Sequence, residues 1–184
     1  MERIKTHRNT DIVSNGSATR HITTDAMFVA LTLLFTAFVN IKIPSFGGAG
    51  GLIHLGNVPL FIAAIMYGRR TGAIAGAIGM GLFDIMSGWV AWAPCTVITC
   101  GLMGFVVGAV NVNKKGVTIK ILSMIFALII KVTGYFIFES FVFGSGIAAA
   151  VKSVPGNIIQ VTVAAVIVLL IYAPLEKGIR AITN

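Results

Sequence analysis

This chain carries very little charge, and least of all negative charge. Of its 184 residues only 11% are charged, and Asp and Glu together number six. With 57% hydrophobic residues and a mean hydropathy of +0.94, it lies far outside the range of soluble domains, which excludes water as its main solvent. Cysteine is nearly absent too. Cys95 and Cys100 stand five apart in an apolar segment, on different sides of a helix, a spacing that fits no metal or redox pattern. Both are expected as small buried hydrophobes. No G-x-x-x-x-G-K-S/T phosphate loop occurs, because Gly47–Gly51 runs into leucine and isoleucine rather than lysine. The chain therefore has no ATP motor of its own. The H-E-x-x-H, G-x-S-x-G and CxxC patterns are also missing, which removes every recognisable catalytic set and argues against an enzyme. Residues 24–87 show no similarity to 94–172, unlike the inverted repeats common in secondary transporters.

What the chain does have is apolar sequence in long runs. A transmembrane helix needs about 20 apolar residues, so a chain of this size supplies about six crossings and short loops. The first is predicted from Thr24 to Ile43, ending at Lys42 and Pro44, where proline stops a helix. A glycine-rich loop, Ser45–His54, follows and is expected to fold back over the membrane mouth. The second span, Asn57–Gly68, is short and stops at Arg69 and Arg70. The third covers Thr71–Ser87 and leads into a turn whose Trp89 and Trp92 suit the membrane interface. The fourth, Pro94–Val110, has proline in its first turn. The fifth, Val117–Phe143, is long enough to require tilt, and the sixth runs from Pro155 to Tyr172.

The formal charge of +8 and the pI near 9.9 raise the question of nucleic acid, but the basic residues sit at the ends of apolar runs. Arg3, Lys5, Arg8 and Arg20, then Arg69 and Arg70, then Lys114, Lys115 and Lys120, then Lys177 and Arg180 all fall on one side. Lys42 and Lys152 fall on the other, and Lys131 lies inside a span. This is the positive-inside pattern of a membrane protein, not a nucleic-acid footprint. The fold class is therefore all-α and membrane-integral: six transmembrane helices, with both termini cytoplasmic. Residues 1–23 form a polar cytoplasmic tail without the apolar core of a signal peptide. Residues 24–175 form the membrane domain in the lipid bilayer, and 176–184 a short basic tail. Small residues recur four apart at Ala26/Ala30, Gly72/Gly76 and Gly104/Gly108, a spacing that lets helices approach closely in lipid.

Charged side chains within a span cost at least about 2.5 kcal/mol, so Asp84, Lys131 and Glu139 each need a reason. In the predicted topology Asp84 and Glu139 lie near the outer ends of their helices. Asn157 and Gln160 occupy one face of the outer turns of the sixth span, Thr96 opens the fourth near Trp92, and His54 lies in the outer loop. Polar groups of five segments thus converge on the outer third of the membrane, as a pocket loaded from outside requires. Lys131, Tyr135 and Glu139 form one stripe at four-residue spacing. Lys131 has two readings, a pocket wall or an ion pair with Asp84. The candidate substrate-binding set is His54, Asp84, Trp92, Thr96, Tyr135, Glu139, Asn157 and Gln160, with no metal site and no cofactor.

Four stretches carry a specific likeness: Gly50-Gly-Leu-Ile-His-Leu-Gly-Asn-Val-Pro59, Gly72-Ala-Ile-Ala-Gly-Ala-Ile-Gly79, Asp84-Ile-Met-Ser-Gly-Trp89 and Trp92-Ala-Pro94. Together they resemble the S components of energy-coupling factor (ECF) transporters, in particular the riboflavin-type group that includes hydroxymethylpyrimidine and pyridoxine carriers. The resemblance covers nearly all of residues 24–175. It implies a bacterial, multi-pass plasma-membrane protein that binds a vitamin or its precursor under the first loop. Its implied partners are an ECF transmembrane coupling protein and two cytoplasmic ATPase subunits, which would hydrolyse the ATP. It also implies that Ala26 and Ala30, a small-xxx-small pair on the first helix, meet the coupling protein. For cargo, the polar set suits pyridoxine or hydroxymethylpyrimidine. Riboflavin, which would use Trp92, Tyr135 and the phenylalanines, is the alternative cargo, and a stand-alone facilitator is the alternative function.

Overall fold

The computed structural model describes residues 3–42, 52–112, 116–142, 144 and 146–183. It is a helical bundle with one small hairpin. Helix α1 spans Arg3–Phe38, and strands β1 (Asn40–Lys42) and β2 (Leu52–His54) pair antiparallel. Helix α2 covers Asn57–Tyr67. Helix α3 (Arg69–Ile74) continues through a π-helical turn, Ala75–Met80, into α4 (Gly81–Met86). Helix α5 spans Ala93–Asn111, and α6 (Val117–Ile137) continues into a second π-helical turn, Phe138–Val142. Helix α7 is Ile147–Thr183.

Among the described residues, four helical stretches are long and apolar enough to cross a bilayer: Ala18–Phe38, Ala93–Asn111, Val117–Val142 and Ile147–Gly178. Helix α2 is a shorter apolar helix. Several expected boundaries move. The polar stretch 1–23, read as a tail, is helical from Arg3 onward. The first helix ends at Phe38 rather than Ile43, because the Asn40 amide donates to the carbonyls of Thr36 and Ala37 and caps its last turn. Residues 40–42 then leave as a strand. The last helix begins at Ile147, eight residues before the expected start, and carries Pro155 and Pro174 in its interior. It also takes in most of the 176–184 tail. Most of the glycine-rich loop, residues 43–51, lies outside the described residues.

The bundle's outer surface is apolar. Ile98, Phe141, Leu170 and Met86 are each at least 70% exposed, the arrangement a lipid solvent favours. Inside, Leu60, Phe61, Met80, Met103, Val107 and Val168 form the centre of one core cluster. Lipid gives helices no hydrophobic drive toward each other, so close packing must hold them together. Glycines supply it where α3 and its π turn cross α5. A Cβ on Gly104 would run into the Gly72 carbonyl, one on Gly76 into the Cys100 carbonyl, and one on Gly108 into the Arg69 backbone. Two of the three small-residue pairs noted in the sequence thus meet each other across a single helix crossing. Gly68 serves a different need. With φ of 94° and open space around its missing Cβ, it reverses the chain between α2 and α3 in a backbone conformation that side chains disfavour.

Substitution of Gly104 by leucine is therefore expected to separate α3 from α5 and to abolish a sharp thermal transition of the detergent-solubilised protein. Gly116→Ala, where only Ile119 comes within reach of a new Cβ, should melt like the parent; an unaltered melt for Gly104→Leu would refute the close-crossing account.

Candidate functional site

The hairpin, α4, the Trp89–Trp92 turn, α5, α6 with its π turn and α7 enclose one cavity. Its open interior is about 60 Å3, below the roughly 300–1,000 Å3 of small-molecule sites, so the walls must part to admit a ring. Its walls are Leu52, His54, Phe83, Asp84, Trp89, Trp92, Thr96, Lys131, Tyr135, Glu139, Asn157 and Gln160. All eight residues singled out from the sequence are among them.

Each arrives by a local cause. The hairpin register pairs Asn40 with His54 and Lys42 with Leu52, and the two-residue period of a strand turns Leu52 and His54 to the same side. The π turn Ala75–Met80 leads into the short helix that presents Phe83 and Asp84, and the π turn Phe138–Val142 carries Glu139. Such turns insert an extra residue into a helical ladder and are frequent at functional sites. Here Glu139 and Ser140 are buried in succession. In α7, Pro155 lacks the N–H that would bond to the Val151 carbonyl and so weakens the helix one turn from Asn157 and Gln160.

The chemistry is a mixture of aromatic wall and open hydrogen-bonding atoms. The rings of Trp89 and Trp92 meet edge to face at 5.4 Å, and His54 lies 6.4 Å from Phe83. Thr96 Oγ1 and the Tyr135 hydroxyl share a hydrogen bond of 2.7 Å, and the Thr96 hydroxyl also serves Asp84. Ser153 and Trp92 face the Glu139 carboxylate. His54 Nδ1 accepts the Gly56 N–H at 3.2 Å, which leaves Nε2 as the ring's proton-bearing donor. Burial, reinforced by the charge of Lys131, holds the His54 pKa well below the ordinary histidine value, so the ring is neutral at pH 7. Two buried atoms on the wall have no intramolecular partner: Asp84 Oδ2, an acceptor, and Gln160 Nε2, a donor. In a membrane interior such atoms are costly unless something else completes them.

Lys131 is buried, at 2% exposure. No carboxylate among the described residues forms an ion pair with it. Its ammonium lies 5.5 Å from the centre of the Tyr135 ring. The direct Asp84–Lys131 pair considered from the sequence is thus not formed, and Lys131 belongs to the cavity wall. Three wall residues escaped the sequence reading. Leu52 was legible only once the strand was known, Phe83 adjoins Asp84 in the chain, and Trp89 had been assigned to the membrane interface. Cys95 and Cys100 are free and buried, as expected. Among the described residues no cluster of His, Cys, Asp and Glu could hold a metal ion.

Outside the cavity lining, Ala26 and Ala30 are exposed on α1 in a strip continued by Leu34 and Phe38. The opposite side of the same helix buries Asp25, Phe28, Thr32 and Thr36. Asp25 is bound by Arg70 at 3.4 Å, which ties α1 to α3 next to the exposed alanines.

Comparison with known proteins identifies the fold and the family. The chain is 28% identical over 158 residues to the thiamine precursor transporter HmpT of Lactococcus lactis subsp. cremoris strain MG1363, covering 86% of this chain and 89% of that one. It is also 28% identical over 130 residues to an uncharacterised protein of Pyrococcus woesei, covering 67% of this chain and 85% of the relative. In fold it matches the solved S component of a bacterial ECF transporter with a TM-score of 0.71 at 19% identity, covering 88% of this chain and 98% of that structure. ThiT from Listeria monocytogenes matches with a TM-score of 0.64 at 20% identity, covering 86% and 97%. The family described as "ECF-type riboflavin transporter, S component" matches residues 16–177, most of the chain, and the chain belongs to this family of multi-pass membrane S components.

Proposed function

We propose that this chain captures a small hydroxymethylated heteroaromatic ring for an ECF importer, with hydroxymethylpyrimidine as the leading cargo and pyridoxine as its closest chemical alternative. The observation that carries the reading is the cavity in which Asp84 Oδ2 and Gln160 Nε2 stand buried without partners beside the walls of Phe83, Trp89 and Trp92. A ring of this kind has flat faces for the aromatic walls and amino, ring-nitrogen or hydroxyl groups at its edge for the open acceptor and donor. His54, Asp84, Trp92, Thr96, Tyr135, Glu139, Asn157 and Gln160 are its contacts in this reading. The relative that transports a thiamine precursor supports the same class of cargo. Riboflavin is a second reading, favoured by the description of the family.

In this proposal the chain crosses the plasma membrane six times. Helices α1, α2, α5, α6 and α7 make five of the crossings, and the α3–α4 rod makes the other. Both termini are cytoplasmic, in keeping with the one-sided distribution of lysine and arginine. The chain binds cargo without hydrolysing ATP. A transmembrane coupling protein and two cytoplasmic ATPases supply the energy, and the exposed Ala26–Ala30 strip is the docking face for the coupling protein, since small residues allow close helix approach.

Titration of the detergent-purified protein with hydroxymethylpyrimidine, pyridoxine and riboflavin tests the cargo. Tight binding of one of the first two is expected, with Asp84→Asn weakening it about tenfold to a hundredfold through loss of a charge-assisted hydrogen bond. Binding of riboflavin alone would move the assignment to the second reading, and unchanged affinity in Asp84→Asn would remove Asp84 from the site. For the docking face, Ala30→Trp should abolish uptake in cells that contain the complete importer while leaving cargo affinity at the parental level. A loss of binding in that variant would place Ala30 in the fold rather than at an interface.

A further inference from the structure

The unpaired cation in the cavity carries one step more, and the step rests on the cargo reading above. Lys131 is among the largest fully buried side chains of the protein, at 2% exposure, and lines the cavity. Glu139, on the same helical stretch, lies eight residues further on, about 12 Å along the axis, too far to neutralise it. Asp84 shares the cavity and senses its charge, yet the two form no ion pair. The Tyr135 ring, 5.5 Å from the ammonium, offers it an electron-rich face rather than an acceptor oxygen. A lysine buried in a membrane interior without an anion is costly, and what would lower that cost is an acceptor atom brought in by the cargo.

We propose that Lys131 is the specificity-determining residue for an oxygen substituent on the cargo ring: its ammonium donates to the exocyclic hydroxyl oxygen, while the amino and ring-nitrogen edge goes to Asp84 and Gln160. The division follows from the open atoms. Lys131 can only donate, Asp84 Oδ2 can only accept when ionised, and a hydroxymethyl oxygen is the acceptor that a ring lacking it would not offer. A site built to hydrogen-bond a hydroxyl rejects the analogue without one, because the protein group is then left buried and unmatched.

The test is a cycle on the full-length protein in detergent. Affinities for hydroxymethylpyrimidine and for the same ring with methyl in place of hydroxymethyl are measured in the parent, in Lys131→Met and in Lys131→Gln. In the parent, loss of the hydroxyl should weaken binding about tenfold to a hundredfold, as expected for a hydrogen bond to a charged group. In Lys131→Met the two compounds should bind alike, and Lys131→Gln, which keeps a donor without the charge, should fall between. A lysine that merely supports the fold would lower both affinities together and leave their ratio intact, so a preserved hydroxyl preference in either variant overturns the proposal. Should Lys131→Met fail to fold, Lys131→Gln alone decides it by the same ratio. A parent protein that binds neither compound refutes this inference, and the cargo reading as well if pyridoxine also fails to bind, whereas a parent that prefers the hydroxylated ring by the same factor as the variants refutes this inference alone.

Discussion

Hydrocarbon offers no hydrogen bonds, and in this protein that constraint acts on nearly every side chain. Large aliphatic residues such as Ile98 and Leu170 face outward, where lipid is as good a solvent as a protein core. Polar groups are turned inward instead: Thr32, Asn57, Ser123, Lys120 and Lys131 are all at 2% exposure or less. Because burial of apolar surface gives little net drive for helices to associate in such a solvent, the bundle depends on contact distance. The glycines of α3, its π turn and α5 bring two backbones together where any side chain would hold them apart.

The two ends of the bundle treat their polar groups differently. At the end of α5 remote from the cavity, the Asn111 amide donates to Ser123 Oγ at 2.8 Å, and Ser123 donates to the Lys120 carbonyl. The Lys120 ammonium sits 4.1 Å from the centre of the Tyr172 ring. These contacts tie α5, α6 and α7 together, although Asn111 Oδ1 is left buried without a partner. At the cavity end, the Thr96–Tyr135 pair is satisfied, but Asp84, Gln160 and Lys131 keep open valences. A membrane protein can retain such groups when a ligand completes them, and what marks the cavity end is that its open atoms line a space a ligand can reach.

Much of the candidate site was legible beforehand, for a reason particular to membranes. The apolar runs fix where helices lie, the basic residues mark one side, and the depth of each polar residue then follows from counting. Residues as far apart in sequence as His54, Asp84 and Gln160 could be assigned to one level, and they line one cavity. The helices were also close to their expected places, with α2 ending one residue early and α5 longer by one residue at each end. The less accurate boundaries were those of α1 and α7. Their polar ends give no hydrophobic period to read, and Pro155 resembles a helix start although it sits inside α7.

What the amino-acid sequence determined by itself was therefore a property of each segment taken singly: a lipid solvent, helical spans and the absence of a motor or catalytic motif. Only the tertiary structure decided the relations between segments. It turned residues 40–42 and 52–54 into a hairpin that brings Leu52 and His54 to the cavity, set the π turns beside Asp84 and at Glu139, and matched Gly72 with Gly104 across a crossing. It also left Lys131 beside Tyr135 instead of in an ion pair with Asp84. Hydropathy and charge are carried by each residue wherever it lies. Strand pairing, helix approach and ion pairing depend on the distance between side chains that only the folded bundle brings together.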